Sequence, residues 1–263
     1  FQYQKPANLK QAREQADATG GNYLAGGQSL VQAMKLRMSS PGALVDLSGL
    51  AELQGIQVDA QTVRLGAMSR HAQVADHAQV QTAIPALAAL AGGIGDPMVR
   101  NQGTIGGSLA YNDPSACYPS AVLALNAVIH TDARDIAADD FFLGLYQTAL
   151  QPGELIRAVT FQKPASAAYI KFKHPASKLA LVGVFVARFK DQVRVGVTGA
   201  QACAFRATAI EQALNKDFQP QAAQAIRLAG DDMLSDIHAS GPYRAALVST
   251  LAARAVEQQL GHR

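Results

Sequence analysis

The stretch from Tyr23 to Met38 constrains the fold more than any other part of the chain. It begins as a short apolar strand, continues through Gly26 and Gly27, and ends as a helix. Apolar residues recur at every fourth position of that helix, at Leu30, Met34 and Met38. The backbone therefore changes from extended to helical at the two glycines. Because glycine lacks a Cβ, such a turn can adopt φ > 0 and bring N–H groups close to a phosphate.

An ordinary strand-to-helix turn is the alternative explanation of this glycine pair, because many such turns need glycine only for their dihedral angles. The stretch matches neither the dinucleotide fingerprint G-x-G-x-x-G nor the phosphate-binding loop G-x-x-x-x-G-K-[ST]. It also differs from the hydrolase motif G-x-S-x-G, since Val31 replaces the last glycine. The first stretch alone does not decide between a turn and a binding site.

A second glycine-rich stretch, from Val99 to Pro114, strengthens the case for binding. It contains three glycines, Gly103, Gly106 and Gly107, and the small polar residues Thr104, Ser108 and Asn112. Hydroxyl and amide groups of this kind hydrogen-bond phosphate oxygens and sugar hydroxyls. The alternative is a loop that threads the core and needs glycine for room. Two such stretches predict a pair of loops that close over one elongated ligand carrying phosphate.

Composition indicates a globular protein and argues against several partners. The 263 residues are 49% hydrophobic and 16% charged, enough for a large core. The net charge of +3 is small and its basic residues are scattered, so neither nucleic acid nor an anionic membrane is a predicted partner. No run approaches the roughly 18 apolar residues of a membrane-spanning helix. We expect no secretory leader, and we expect the protein to lie in the cytoplasm.

Cysteine and histidine usage predicts no metal site. Cys117 and Cys203 form no C-x-x-C pair, which argues against a zinc site, an iron–sulfur site or a disulfide framework built from this chain alone. His71 and His77 have the wrong spacing for one helical face, and all six histidines are expected to be structural or surface groups. No set of side chains suggests acid–base catalysis, so no catalytic residue is predicted.

The order of predicted elements divides the chain into three regions. Residues 1–54 form a small α/β unit with helices over 8–18 and 29–38 and strands over 23–25 and 43–47. Residues 55–163 begin with a hairpin at 55–58 and 62–67, followed by helices over 70–79 and 84–91, the second glycine-rich stretch, and a strand over 154–161. In this region, Asp139 and Asp140 are expected to be a solvated helix start.

The third region, residues 164–263, contains a strongly alternating antiparallel hairpin over 179–189 and 193–199. Helices predicted over 207–214, 221–229 and 243–259 cover its sheet on one side. The predicted fold class of the whole chain is therefore α+β.

At its two glycine-rich stretches the sequence resembles the FAD-binding medium subunit of the molybdenum hydroxylases, the family of xanthine dehydrogenase, carbon monoxide dehydrogenase and bacterial aldehyde oxidoreductases. The resemblance covers the whole chain. Its most specific parts are Leu24 to Arg37, Arg100 to Ala110, and Asp113-Pro114. Weaker matches are Phe172-Lys173 with Ala176-Ser177, and Asp236 to Arg244. Two long motifs in the family's order support the identification.

The resemblance implies that two amino-terminal subdomains, 1–54 and 55–163, hold one noncovalent FAD in the manner of PCMH-type, vanillyl-alcohol-oxidase-like flavoproteins. A carboxy-terminal α+β domain, 164–263, of the carbon monoxide dehydrogenase flavoprotein type covers the flavin. Residues implied at the diphosphate are Leu24, Ala25, Gly26, Gly27, Gln28, Ser29, Leu30, Val31, Gly103, Thr104, Gly106, Gly107 and Ser108. Those implied along the ribityl chain are Asn112, Asp113 and Cys117, and those near the flavin ring are Ile94, Tyr169 and Lys173.

One position departs from the family pattern. Many relatives carry an acidic residue where this chain has Cys117, and a thiol is a poor substitute for a carboxylate acceptor. Either Asn112 or Asp113 then contacts the ribityl chain, or the flavin affinity differs.

The resemblance also implies a role. FAD on this chain receives electrons from [2Fe-2S] clusters of a small subunit and passes them to an external acceptor. Molybdopterin and the hydroxylation reaction belong to a large subunit, which gives a heterotrimer or its dimer. Two alternatives stay open: a self-contained flavin oxidase of the vanillyl-alcohol oxidase type, and a non-enzymatic binding module that uses the glycines only as turns.

Overall fold

The computed structural model describes residues 1–261. Its strands are β1 Gln2–Gln4, β2 Asn22–Leu24, β3 Ala43–Asp46, β4 Ile56–Val58, β5 Thr62–Gly66, β6 Val128–Thr131, β7 Asp135–Ala137, β8 Phe142–Gly144, β9 Gln147–Thr148, β10 Ile156–Gln162, β11 Ser166–Lys173, β12 Ala180–Arg188, β13 Val193–Thr198 and β14 Phe205–Arg206. Its α-helices are α1 Leu9–Thr19, α2 Leu30–Lys35, α3 His71–Asp76, α4 Ala78–Ala83, α5 Pro85–Gly92, α6 Pro97–Gln102, α7 Ile105–Tyr111, α8 Tyr118–Ala124, α9 Thr208–Lys216, α10 Pro220–Gln224 and α11 Gly241–Leu260. Short 3-10 helices span Ala51–Leu53, Ala138–Asp140 and Gly230–Asp232. Residues 262 and 263, the last two of the third predicted region, lie outside the residues that the structure describes.

The first sheet is parallel and has the strand order β1-β3-β2. Every residue of β3 is buried, as expected for a central parallel strand. The sheet shares a small core with α1 through Ala12, Ala16 and Val45. Asn8 begins α1 by accepting a hydrogen bond from the Gln11 amide at 2.9 Å, which satisfies one free donor of the first helical turn. This unit brings the first glycine pair to the end of β2.

The second sheet is antiparallel, with the strand order β4-β5-β10-β6-β7. Its central strand β10 comes after all the helices of the middle region and pairs with both β5 and β6, so the region closes on itself. The core beneath it combines sheet residues such as Leu65 and Phe161 with helical residues such as Leu87, Ile105 and Leu109. The second glycine-rich stretch is therefore anchored against this core.

The third sheet is antiparallel, with the strand order β11-β12-β13-β14. Successive residues of a strand point to opposite faces, so β12 contributes to two cores. On one face, three of its valines pack with residues of α9 and α11; they are Val182, Val184 and Val186. On the other face, Phe185 and Ala187 join the core of the middle region. The region's own helices lie on one side, as predicted, while α8 of the middle region covers the opposite side.

Several helices differ from their predicted bounds. Helix α2 ends at Lys35 because Arg37 is left-handed (φ +59°), which leaves Met38 79% exposed instead of buried. The helix predicted over 70–79 is divided into α3 and α4 by the extended residue His77. The helix predicted over 221–229 ends at Gln224, and the Ile226 carbonyl instead accepts a hydrogen bond from Ser249 at 2.7 Å.

Asp139 and Asp140 are exposed and lie in the first turn of the 3-10 helix Ala138–Asp140, as expected, but Asp139 also has partners that the sequence did not indicate. Its carboxylate pairs with buried Arg194 of β13 at 2.5 Å and with Arg206 of β14 at 3.0 Å. Arg194 also donates to the Leu123 carbonyl of α8 at 3.0 Å. A buried guanidinium needs such partners. The pair therefore fastens the middle region to the third sheet.

No helix among residues 1–261 combines the length and apolar character that a membrane span needs.

The contact between α8 and β13 depends on Gly196. A Cβ built on this residue would lie 2.0 Å from the backbone oxygen of Ser120. Real side chains do not approach a carbonyl oxygen this closely, so helix and strand meet through backbone atoms. Only glycine permits this packing.

We expect Gly196→Ala to destabilise the protein by about 3 kcal/mol or more, since neither backbone can move without disturbing the core. Urea unfolding followed by circular dichroism measures this change. Gly49→Ala is the control, because its Cβ would meet only the tip of the Lys5 side chain at 3.4 Å and should change stability by less than about 0.5 kcal/mol. Equal stability of the two variants would contradict the assignment.

Candidate functional site

The first glycine-rich stretch forms an open turn between β2 and α2. Gly27 adopts φ +70°, a left-handed conformation that favours glycine, and residues 24–31 are all partly exposed. Within the described chain, the amides of residues 26–30 donate to no acceptor, and the first amide that does is that of Val31, to Gly27 at 3.2 Å. Ser29 does not use its hydroxyl to cap α2. A row of unpaired, accessible N–H groups is the backbone arrangement that binds anions.

The second glycine-rich stretch is not the predicted loop. It contains α6 and α7, separated by Gly103 and Thr104. Thr104 caps α7, since its Oγ1 accepts a hydrogen bond from the Gly107 amide at 3.2 Å. The amides of Ile105 and Gly106 donate to the Ser69 and Ala67 carbonyls at 3.1 and 2.9 Å. The glycines therefore lie at the start of a hydrogen-bonded helix, which is more rigid than a loop.

The structure brings the two stretches into contact. A Cβ built on Gly26 would lie 2.1 Å from the Gln102 carbonyl oxygen and 2.8 Å from the Gly103 Cα. A Cβ on Gly107 would lie 3.7 Å from the Ala25 Cβ. Gly107 and Ser108 remain partly exposed, as does the first turn. The turns therefore meet backbone to backbone and still leave their donors accessible.

Among the predicted glycines, Gly103 and Gly106 are buried. Gly106 packs so closely that a Cβ would lie 2.6 Å from the Ala67 Cβ, which gives this residue a packing role. Gly107 and Ser108 are the residues of α7 that face the first turn and solvent. Their contact with a ligand stays a prediction.

Asn112 has a structural function that the sequence did not indicate. It is fully buried and left-handed (φ +48°), and its Nδ2 donates to the carbonyls of Gly144 at 2.9 Å and Gln147 at 2.7 Å. This fastens the turn between β8 and β9. Its Oδ1 is buried and has no partner within residues 1–261, so only this atom is free for the predicted ribityl contact. The Asp113 carboxylate accepts a hydrogen bond from the Ser115 amide at 2.8 Å.

Cys117, Tyr169 and Lys171 form a second cluster. The Lys171 Nζ donates to the Gly93 carbonyl at 2.7 Å and lies 3.4 Å from the Cys117 Sγ. Burial, and then the neighbouring Cys117, raise the pKa of Tyr169 well above its usual value. The cluster contains two of the predicted neighbours of the ribityl chain and flavin ring, Cys117 and Tyr169, and Gly93 immediately precedes a third, Ile94. The third sheet thus supplies a cation to the middle region.

That cation is Lys171, whereas the role of Lys173 as a flavin neighbour stays a prediction. The side chains of Tyr169 and Lys171 share one face of β11, but a bulge between Phe172 and Lys173 shifts the register, and Lys173 is exposed. Strict alternation from Tyr169 would place both Lys171 and Lys173 on this face, and the bulge between them could not be seen in the sequence.

The unpaired amides at the first turn, with the second stretch packed behind them, are an arrangement that suits the diphosphate of a nucleotide cofactor. Residues 1–164 match the family model described as the FAD binding domain in molybdopterin dehydrogenase. The chain is 33% identical over 272 residues to the nicotine 6-hydroxylase medium subunit of Paenarthrobacter nicotinovorans, covering 97% of this chain and 96% of that one.

Solved structures show the same fold. The structure of a carbon monoxide dehydrogenase from Hydrogenophaga pseudoflava contains a chain that superposes with a TM-score of 0.90 at 31% identity, covering 100% of this chain and 98% of that one. A chain of quinoline 2-oxidoreductase from Pseudomonas putida 86 superposes with a TM-score of 0.89 at 28% identity, with the same coverage. The chain belongs to the family of FAD-binding medium subunits of the molybdenum hydroxylases, which are oxidoreductases.

The residues present fit FAD. The amides of residues 26–30 can donate to diphosphate oxygens, and the missing side chain at Gly26 lets the Gln102–Gly103 backbone pack directly behind them. The buried Oδ1 of Asn112 can accept a hydrogen bond from a bound molecule, and the buried hydroxyl of Tyr169 can donate or accept one; neither atom has a partner within residues 1–261.

We expect Gly26→Ala to lower the FAD affinity by at least about tenfold, because a methyl group here would force the Gln102 carbonyl away and separate the two turns. The ratio of flavin to protein after purification, and reconstitution with added FAD, measure the effect. Gly42→Ala is the matched control in the same unit, since its Cβ would meet no atom within 4 Å. A folded Gly26→Ala protein with normal flavin content would disprove the close-approach argument.

A pair of lysine variants tests the second cluster. Lys171→Met removes the donor to the Gly93 carbonyl and the positive charge at Cys117, and we expect FAD to bind about tenfold more weakly. Lys173→Met should change the affinity by less than about twofold, because that side chain is exposed. Titration with FAD measures both. The reverse order of effects would restore Lys173 as the flavin neighbour.

Proposed function

We propose that this chain is the FAD-carrying electron-transfer subunit of a molybdenum hydroxylase complex. It receives electrons from [2Fe-2S] clusters of a small partner subunit and passes them to an external acceptor. The large partner subunit carries molybdopterin and the organic substrate. The contact between the two glycine turns is the observation that supports this proposal most strongly, because it presents a row of free amides to a diphosphate.

Similarity to relatives with different substrates supports a role that is independent of substrate. The relatives above are named for nicotine, carbon monoxide and quinoline, yet their chains superpose on this one or align along almost all of it. What such chains share is the FAD-binding region. Within residues 1–261 no group of three or more His, Cys, Asp or Glu could hold a metal ion, so iron and molybdenum fall to the partners.

Different residues of this chain then hold different parts of FAD. The amides of residues 26–30, with Gly107 and Ser108, hold the diphosphate. Cys117, Tyr169 and Lys171 lie toward the flavin end, where the ammonium of Lys171 favours negative charge. Bound FAD supplies a group that can accept two electrons and release them one at a time. The protein orients it and adjusts its potential.

We also propose the three-part organisation 1–54, 55–163 and 164–263, in which the first two parts hold FAD and the third covers it. The three larger of the four sheets, each of which packs on a core of its own, support this division. The proposed assembly is a heterotrimer or its dimer. A cytoplasmic location is proposed because Cys117 and Cys203 are both free thiols.

A self-contained oxidase of the vanillyl-alcohol oxidase type is less well supported. The relatives that align along the full chain are medium subunits, and the third region consists of a packed sheet and helices. Such an oxidase would need convergent polar side chains of its own around a substrate.

Purification of the native complex tests the proposal. The chain should copurify with partners that contain molybdenum and iron, and should carry a flavin that absorbs at about 450 nm. The isolated chain, reconstituted with FAD, should oxidise no organic substrate but should transfer electrons from a reduced iron–sulfur partner. Oxidation of a substrate by the isolated chain would support the alternative, and a chain that binds no FAD would refute both.

A further inference from the structure

A buried imidazole lies against the junction of the two glycine turns. His71 begins α3, is 5% exposed, and its amide donates to the Gly103 carbonyl at 3.0 Å. A Cβ built on Gly103 would lie 2.6 Å from the His71 Nε2. The ring therefore packs directly on the backbone of Gly103, the residue whose Cα also contacts the first turn at Gly26.

The surroundings of His71 suit a neutral ring. Its Nδ1 is buried and has no partner within the described residues. Tyr118 faces the ring from α8, with the two centroids 5.4 Å apart, and Arg100 is the charged group on α6. Burial, followed by the charge of Arg100, lowers the pKa of His71 to about 4. A second ring proton would bring a positive charge into a buried position without an acceptor.

We propose that His71 is a positioning residue for FAD: the neutral ring holds Gly103 against the first turn, and protonation of the ring releases it and weakens FAD binding. The proposal rests on the FAD site assigned above. Because linkage is reciprocal, FAD that favours the closed junction must also make His71 harder to protonate.

The direction of the pH dependence follows from this linkage. The junction is closed in this structure; in our proposal it opens for part of the time when FAD is not bound, and only the open junction lets the ring bind a proton readily. FAD should therefore dissociate as pH falls from the usual histidine value of 6.5 toward about 4. Within that window the dissociation constant changes by at most about tenfold for each pH unit, the limit for one proton.

Equilibrium dialysis of the full chain against FAD, from about pH 7.5 to about pH 4.5, tests the proposal. The dissociation constant of the wild-type chain should rise at least about fivefold between about pH 7 and about pH 4.5, and that of His71→Asn should change less than about twofold, because asparagine does not titrate. His77→Asn is the matched control: its Nδ1 is also buried without a partner in residues 1–261, but it lies at the end of α3. This variant should keep the wild-type pH dependence. An unchanged pH dependence in folded His71→Asn would overturn the proposal.

A measurement on the wild-type chain covers the case in which His71→Asn does not fold. Nuclear magnetic resonance of the histidine ring signals, with and without FAD, should show His71 titrating at lower pH when FAD is bound. Identical titration in the two states would overturn the proposal. FAD binding that does not depend on pH would contradict only the role of His71, whereas absence of FAD binding at about pH 7.5 would contradict the proposed function itself.

Discussion

The backbone contact between Gly26 and the Gln102–Gly103 peptide is the interaction on which the site depends. The first turn has few hydrogen bonds of its own, since the amides of residues 26–30 have no acceptor within residues 1–261. Its shape is instead maintained by the opposite stretch, which is rigid because Thr104 caps α7 and two of its amides bond to the segment before α3. Rigid support of this kind lets a row of donors stay unpaired and ready for an anion without collapsing onto itself.

The third sheet contributes to the site because its two faces pack against two different cores. Phe185 and Ala187 of β12 enter the middle core while the intervening valines enter the other, so the sheet is held at a fixed distance from α8. Strand β11 then carries Tyr169 and Lys171 to Cys117 and Gly93. The Gly196 contact with Ser120 sets this distance at backbone level. Packing at Phe185, Ala187 and Gly196 thus determines the position of the Lys171 ammonium.

Local patterns in the sequence predicted part of this arrangement. The glycine pair marked the strand-to-helix change, and the alternation of valines over 193–197 identified β13. The helices around Gly106 were missed because glycine has low helix propensity, and their stability comes from the Thr104 cap and the Ala67 and Ser69 carbonyls, which are distant in sequence. The arginine partners of Asp139 were missed for the same reason, since they lie 55 and 67 residues away. The bulge that excludes Lys173 depends on pairing with β12 and leaves no local signal.

Lys171 and His71 lie in different electrostatic surroundings within the same fold. Lys171 ends beside a carbonyl and a thiol, groups that tolerate or favour a cation, whereas His71 is buried beside Arg100, where a second positive charge is disfavoured. In the proposed site the diphosphate meets mainly neutral backbone donors, and the fixed positive charge of Lys171 lies toward the flavin end. Because amide donors do not titrate, the affinity for the diphosphate depends on the geometry of the turns, and that geometry in turn depends on keeping the imidazole beneath Gly103 uncharged.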